Sequence, residues 1–225
     1  MINRQGARAG GVGVAEERLI ESAAALGVQL KPADAMRLER LIAELERWNR
    51  RVNLTAIRDP QRMRTHHLLD SLAVHQDLIG TRIADVGTGA GFPGLPLALV
   101  NSERQFTLID SNGKKIRFVE HAIRELGLAN ATALQARIEA LRPALPFDTV
   151  LARAFAPLPE LLEKVAGVCG PGTRVLALKG RWPAAEIAAL PPTWQILSSR
   201  PLEVPDLQGE RCLIVLRPAA TPSSP

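Results

Sequence analysis

The sequence predicts an open, doubly wound α/β sheet preceded by a helical cap, and three observations carry that expectation. A short apolar strand, Arg82-Ile83-Ala84-Asp85-Val86, breaks into the loop Gly87-Thr88-Gly89-Ala90-Gly91-Phe92-Pro93-Gly94 and resumes as the apolar stretch Leu95 to Val100, the strand, turn and helix of a nucleotide-type βαβ unit. A second strand, Gln105 to Asp110, ends in a carboxylate about 20 residues past the loop, where such folds place a ribose partner. Ahead of both strands lie only helical patterns, which therefore cannot be crossovers within the sheet.

Each element follows from local pattern. Residues 1–13 are rich in glycine with little to bury, so a loose tail is expected there. A helical cap is expected over residues 14–80. In it, Leu19, Ala23 and Leu26 recur at helical spacing, then Leu38, Leu41, Ile42, Leu45 and Trp48 after Pro32. Pro60 opens another helix, with Asn53 and Thr55 as candidate turn and cap residues, and His66 and His67 begin an apolar helical run. The sheet domain spans 81–218. After Asp110 the pattern gives a helix from about Gly113 to Leu126 closed by Gly127, a strand at Ala131 to Gln135 and a strand at Phe147 to Arg153. A helix at Pro157 to Val168 and a strand at Thr173 to Leu178 follow, the latter delivering Lys179 and Gly180 to the same rim. Trp194 to Leu197 and Cys212 to Leu216, separated by a turn-rich stretch, complete a seven-stranded sheet with an antiparallel final pair. Residues 219–225 read as a tail.

Composition narrows the function classes. The 225 residues carry a formal charge of +5 and a pI near 9.9, which favours a polyanionic partner. Cys169 and Cys212 make neither a disulfide framework nor a metal site, and four scattered histidines add no ligand cluster. There is no run of 18 apolar residues and no apolar signal core near the start, so a soluble, cytoplasmic, metal-free monomer is expected.

The loop alone satisfies the dinucleotide pattern G-x-G-x-x-G, so a nicotinamide dinucleotide is one candidate cofactor. Asp85 argues against it: a carboxylate two positions before Gly87, set beside the ligand, would repel a pyrophosphate and welcome a cationic head. S-adenosylmethionine, with an ammonium and a sulfonium and no phosphate, suits Asp85, Gly87, Gly89, Gly91 and Phe92, and Asp110 is expected to take its ribose hydroxyls. Arg153, at the end of the fourth strand, faces the chemistry and needs a partner: a cofactor carboxylate, a polyanionic partner such as RNA, or an internal acid such as Asp85 or Asp110. Arginines 47, 50, 51, 58, 62 and 64 share their segment with a single acid, Asp59, which suggests phosphate contacts.

The stretches Asp85 to Pro96, Thr107 to Ser111, Arg153 to Ala156, Ala177 to Gly180, Trp48 to Thr55 and His67 to Leu72 together resemble the bacterial 16S ribosomal RNA guanine-N7 methyltransferases of the RsmG (GidB) type, over about Leu38 to Arg217. The resemblance implies a Rossmann-like class I methyltransferase fold, S-adenosylmethionine as cofactor and the small ribosomal subunit as partner. It also implies adenine contacts at Ile138 and Glu139, cofactor or catalytic roles for Arg153 and Lys179, and RNA contacts at Arg47, Arg50, Arg51, Asn53, Arg58 and His67.

What is missing fits that chemistry. Ala152-Arg153-Ala154-Phe155 stands where amine methyltransferases carry an Asn/Asp-Pro-Pro-aromatic tetrad, and neither cysteine lies in a nucleophile motif. Guanine N7 carries a lone pair and no proton, so it needs neither a general base nor a covalent adduct. A non-enzymatic RNA-binding protein with a vestigial pocket is the reading from a different class.

Overall fold

The computed structural model describes residues 13–219, so the two expected tails fall outside the described residues except for Gly13 and Ala219. The chain opens with helices α1 (Val14–Ala25) and α2 (Pro32–Asn49), with Pro32 in the first turn of α2. A continuous helical stretch follows: α3 (Pro60–Met63), a π-helical turn (Arg64–Leu69) and α4 (Asp70–Leu72). Asp59, not Asn53 or Thr55, caps it by accepting the Arg62 amide at 2.7 Å. His66 and His67 thus lie inside the π-helical turn and do not begin a helix.

Seven strands form one sheet in the order β3-β2-β1-β4-β5-β7-β6: β1 (Arg82–Val86), β2 (Gln105–Asp110), β3 (Ala131–Gln135), β4 (Phe147–Arg153), β5 (Cys169–Lys179), β6 (Trp194–Pro201) and β7 (Cys212–Pro218). The first five pair in parallel and β7 runs antiparallel to both β5 and β6, as the turn-rich spacing predicts. Helices α5 (Gly94–Val100), α6 (Gly113–Leu126), α7 (Leu158–Val165) and α8 (Ala184–Ala188) complete the fold. The fifth strand is longer than expected, starting at Cys169, and α7 is correspondingly shorter. The strand order reverses between β1 and β4, the place where doubly wound sheets bind ligands.

Alternation along β1 assigns its residues to two cores. Ile83 joins Leu95, Leu97, Phe106 and Phe118 on one face, while Ala84 and Val86 join Val150, Leu161, Leu162 and Ile214 on the other. Leu38, Leu41, Leu45, Met63 and Leu68 of the cap belong to the first of these clusters, so cap and sheet share one core. Burying each such side chain contributes roughly 1.5–3 kcal/mol. Polar contacts fix the angle of docking. Arg37 of α2 donates to the Leu126 carbonyl at 2.9 Å where α6 ends in the left-handed Gly127, Glu44 meets His121 at 2.6 Å, and Trp48 packs edge-on against Phe118 at 5.6 Å. These contacts seat α2 of the cap on α6.

Candidate active site

The glycine loop is shaped from beneath by Asp85. Its Oδ2 accepts the Thr88 hydroxyl at 2.5 Å and the Gly94 amide at 2.8 Å, its Oδ1 has no partner, and the residue is 1% exposed. Burial pushes its carboxyl up to about 6, against hydrogen bonds from Thr88 and Gly94 that hold it down. Asp85, expected beside the ligand, lines neither cleft; it lies beneath the loop and pins it to the start of α5. Alternation explains why, since Asp85 shares its strand face with Ile83 and points under the loop.

Two clefts open along the carboxyl ends of the strands. The smaller, of about 270 Å³, is lined by Asp110, Ser111, Ile138, Glu139 and Phe155 among others. Asp110 Oδ2 accepts the Gly89 amide at 3.0 Å and Oδ1 the Asn112 amide at 2.8 Å; Asn112, not Asp110, caps α6. Each carboxylate oxygen still has acceptor capacity. The larger cleft, of about 460 Å³, lies between the cap and the sheet rim and is lined by Thr55, His67, Asp70, Gly89, Phe92, Arg153, Lys179 and Arg211 among others. The clefts meet at Gly87, Lys115 and Ala154. Ala154 has φ +50°, a left-handed conformation strained for a residue with a Cβ, and it turns the chain away directly after β4 at the junction of the clefts.

Gly87 and Gly89 are both left-handed, at φ +64° and +60°, yet for different reasons. A Cβ on Gly87 would meet Phe155 Cδ2 at 2.3 Å, whereas one on Gly89 would have nothing nearer than the Gly87 carbonyl at 3.9 Å. Gly89 is the position that keeps the cleft open; Gly87 makes room for Phe155.

Arg153 is paired within the protein. Its internal partner is Asp70, not Asp85 or Asp110: Nη1 donates to Asp70 Oδ2 at 3.0 Å and to the His66 carbonyl at 2.8 Å. Arg211 Nε donates to the other oxygen of Asp70 at 3.1 Å, so one buried carboxylate, 2% exposed, serves two guanidinium groups. Lys179 is also paired, with Glu186 at 2.7 Å and the Ala156 carbonyl at 2.9 Å. His67 is stacked on Phe92 with centroids 4.8 Å apart and touches the Thr55 hydroxyl at 3.0 Å. Burial and the neighbouring Arg153 lower its pKa to about 3, so the ring is neutral and is no acid or base near pH 7. Asp70, Arg211, Thr55 and Lys115 line the site without having been singled out for it. The signal for Asp70 was an acid set in the apolar run Leu68-Leu69-Asp70-Ser71-Leu72, which requires a cationic partner once buried.

The arginine segment is less one-sided in space than in sequence, because acids of α2 reach it. Arg47 pairs with Glu44, Arg50 with Glu46 at 2.8 Å, and Arg64 with Glu39 at 2.6 Å. Among the described residues no carboxylate pairs with Arg51, Arg58 or Arg62, and Asn53 is exposed. Cys169 starts β5 opposite Phe147, at the end of the sheet away from the loop, with its thiol pushed up to about 12 by burial. Cys212 is buried and its thiol is likewise raised. Among the described residues no cluster of His, Cys, Asp and Glu is arranged to hold a metal, and no helix is long and apolar enough to cross a membrane.

Residues 34–215 match the family model for rRNA small subunit methyltransferase G, GidB. The chain belongs to this family. It is 47% identical over 180 residues to the ribosomal RNA small subunit methyltransferase G of Psychromonas ingrahamii, covering 80% of this chain and 87% of that one. The enzyme of the same name from Xanthomonas campestris pv. campestris (strain B100) is 44% identical over 200 residues, covering 88% of this chain and 94% of its own length. Among solved structures, an O-methyltransferase from Bacillus cereus in complex with SAH superposes with a TM-score of 0.54 at 17% identity, covering 80% of this chain and 91% of that one, which supports the class I methyltransferase fold.

The residues present fit S-adenosylmethionine better than a dinucleotide. Amides of the loop and of the α5 start, which would hold a pyrophosphate, are already given to carboxylates: Gly89 N to Asp110 and Gly94 N to Asp85. Open space at Gly89 and the free acceptor capacity of Asp110 remain for a phosphate-free ligand.

Proposed function

We propose that this member of the rRNA small subunit methyltransferase G family methylates N7 of a guanine in 16S ribosomal RNA of the small subunit, with S-adenosylmethionine as donor. The observation that carries the reading is the meeting of two clefts at the β1–β4 switch point, one with the ribose acid and one walled by the cap. In this reading Asp110 holds the ribose, Ile138 and Glu139 flank the adenine, and Gly89 lets the methionine part lie against the backbone, whereas Gly91 is buried, lines neither cleft and makes room for Leu95. The larger cleft receives the guanine.

The bound cofactor supplies an electrophilic methyl: the N7–CH3 bond forms as the CH3–S bond breaks, with the electron pair staying on sulfur. The protein's part is alignment, which supplies about 7–11 kcal/mol when it is good. His67 stacked on Phe92 gives a flat, uncharged wall that does not oppose the positive charge left on the methylated purine. Lys179 is offset by Glu186, whereas Arg153 and Arg211 share Asp70 and leave one net positive charge at the cleft; both Arg153 and Lys179 can offer N–H donors to the guanine. His67, which lines the larger cleft, is neutral with its pKa about 3, and Cys169 and Cys212 line neither cleft and have their thiols raised by burial. Exposed Arg51, Arg58 and Arg62 supply phosphate contacts. Small subunits carrying 7-deazaguanine at the target, with carbon in place of the nucleophile, should accept no methyl; methylation of that substrate would refute the N7 assignment.

A further inference from the structure

The loop that leaves β5 displays an exposed aromatic ring two residues beyond Gly180, which lines the larger cleft. That residue, Trp182, is 51% exposed, while the other large exposed apolar side chains of the described residues are aliphatic. The loop is held on both sides of the ring. Cys212 Sγ donates to the Arg181 carbonyl at 3.3 Å, Lys179 is tied to Ala156 and Glu186, and Pro183 is buried. An indole shown to water on a fixed loop is preorganised for a flat partner. Cations stand near it: Arg181 is exposed with no carboxylate paired to it among the described residues, while Arg211, which borders Gly180, and Lys179 are paired with Asp70 and Glu186.

We propose that Trp182 is a stacking platform for an unpaired rRNA base beside the target guanine, with Arg181 on an adjoining phosphate. The proposal rests on the rRNA reading above. A single aromatic among cations matches single-stranded RNA, in which splayed bases stack on side chains and phosphates follow a positive groove. A protein partner would instead call for an apolar patch depleted of charge.

The test compares wild type with Trp182→Ala, Trp182→Leu and Trp182→Phe. Binding of a single-stranded RNA oligonucleotide of the target region is read by anisotropy, KM for small subunits by methyl transfer, and S-adenosylmethionine affinity by calorimetry. Trp182→Ala should weaken RNA binding about 5- to 140-fold, raise KM and leave cofactor affinity unchanged. Trp182→Phe should recover most of the loss and Trp182→Leu little of it. RNA binding at wild-type strength in Trp182→Ala overturns the platform, as does rescue by Leu equal to that by Phe. Self-association of wild type that Trp182→Ala abolishes would assign the surface to a second copy of the chain and overturn it too. A failure confined to these variants leaves the rRNA reading standing, whereas wild type that methylates no subunit removes both.

Discussion

Asp70 of the cap holds Arg153 at the end of β4 through one carboxylate oxygen and Arg211, the residue before β7, through the other, at 3.0 and 3.1 Å. The cap and two strands that are not neighbours in the sheet are thereby joined at the cleft. Removing one partner of a buried pair leaves the others uncompensated, at a cost of about 3–5 kcal/mol. Asp70→Ala should therefore lower the denaturation midpoint markedly, and in protein still folded it should raise KM for small subunits more than it changes cofactor affinity. A midpoint equal to that of wild type would show that the shared carboxylate does not couple these elements.

Two buried groups titrate with opposite effects on stability. His67 has its pKa lowered to about 3, so the unfolded chain binds its proton more readily; the stability it contributes is full above about pH 6.5 and is lost as pH falls toward 3. Asp85 has its carboxyl raised to about 6, so its contribution is full below about pH 4 and is lost as pH rises through 6. Between about pH 4 and 6 the two slopes oppose. Relative to wild type, Asp85→Asn should gain stability with rising pH in that window, and His67→Asn should lose it. Denaturant titrations at pH 4, 5 and 6 read this directly, and parallel curves for the three proteins would contradict both assignments.

The two loop glycines should separate. Gly89→Ala puts a methyl into open cleft and strains a left-handed residue by about 1–2 kcal/mol, so cofactor affinity should fall while Phe155 stays in place. Gly87→Ala must displace Phe155, whose ring would lie 2.3 Å from the new Cβ, so it should cost more stability. Calorimetry with S-adenosylmethionine and thermal unfolding distinguish the two; equal effects on both readouts would count against the division of roles.

Arginines of one segment should divide by partner. Charge reversal at Arg51 or Arg58 should lower the log–log salt slope of RNA binding by about 0.7 to 0.9 for each lost phosphate contact. Arg64→Ala, which breaks the pair with Glu39, should act on stability with little change in that slope. An unaltered slope in Arg51→Glu/Arg58→Glu would make this an ordinary solvated face.

Most of the architecture was readable from period and punctuation, because β1, β2 and β4 are short apolar runs and α6 repeats its apolar residues at helical spacing up to Gly127. The positions of Asp110 and the glycine loop were readable for the same reason. Side-chain partners were not. Arg153 meets Asp70 across 83 positions of sequence, a pairing set by how the cap packs and not by any spacing along the chain. The arginine segment misled in the same way, since the acids that offset Arg64, Arg50 and Arg47 lie one helix earlier or one turn away on α2. Asp85 was correctly placed in the loop unit, but its orientation depended on strand parity, which sends it beneath the loop.

The central claim is that methyl is transferred to guanine N7 of small-subunit rRNA. Purified small subunits incubated with this protein and isotopically labelled S-adenosylmethionine, digested to nucleosides and separated by mass spectrometry, test it most directly. Label is expected in 7-methylguanosine alone, mapping to one position of 16S rRNA and reduced in Gly89→Ala, whose cofactor affinity is lower. Label in any other nucleoside, or no label from folded protein that binds the cofactor, would contradict it.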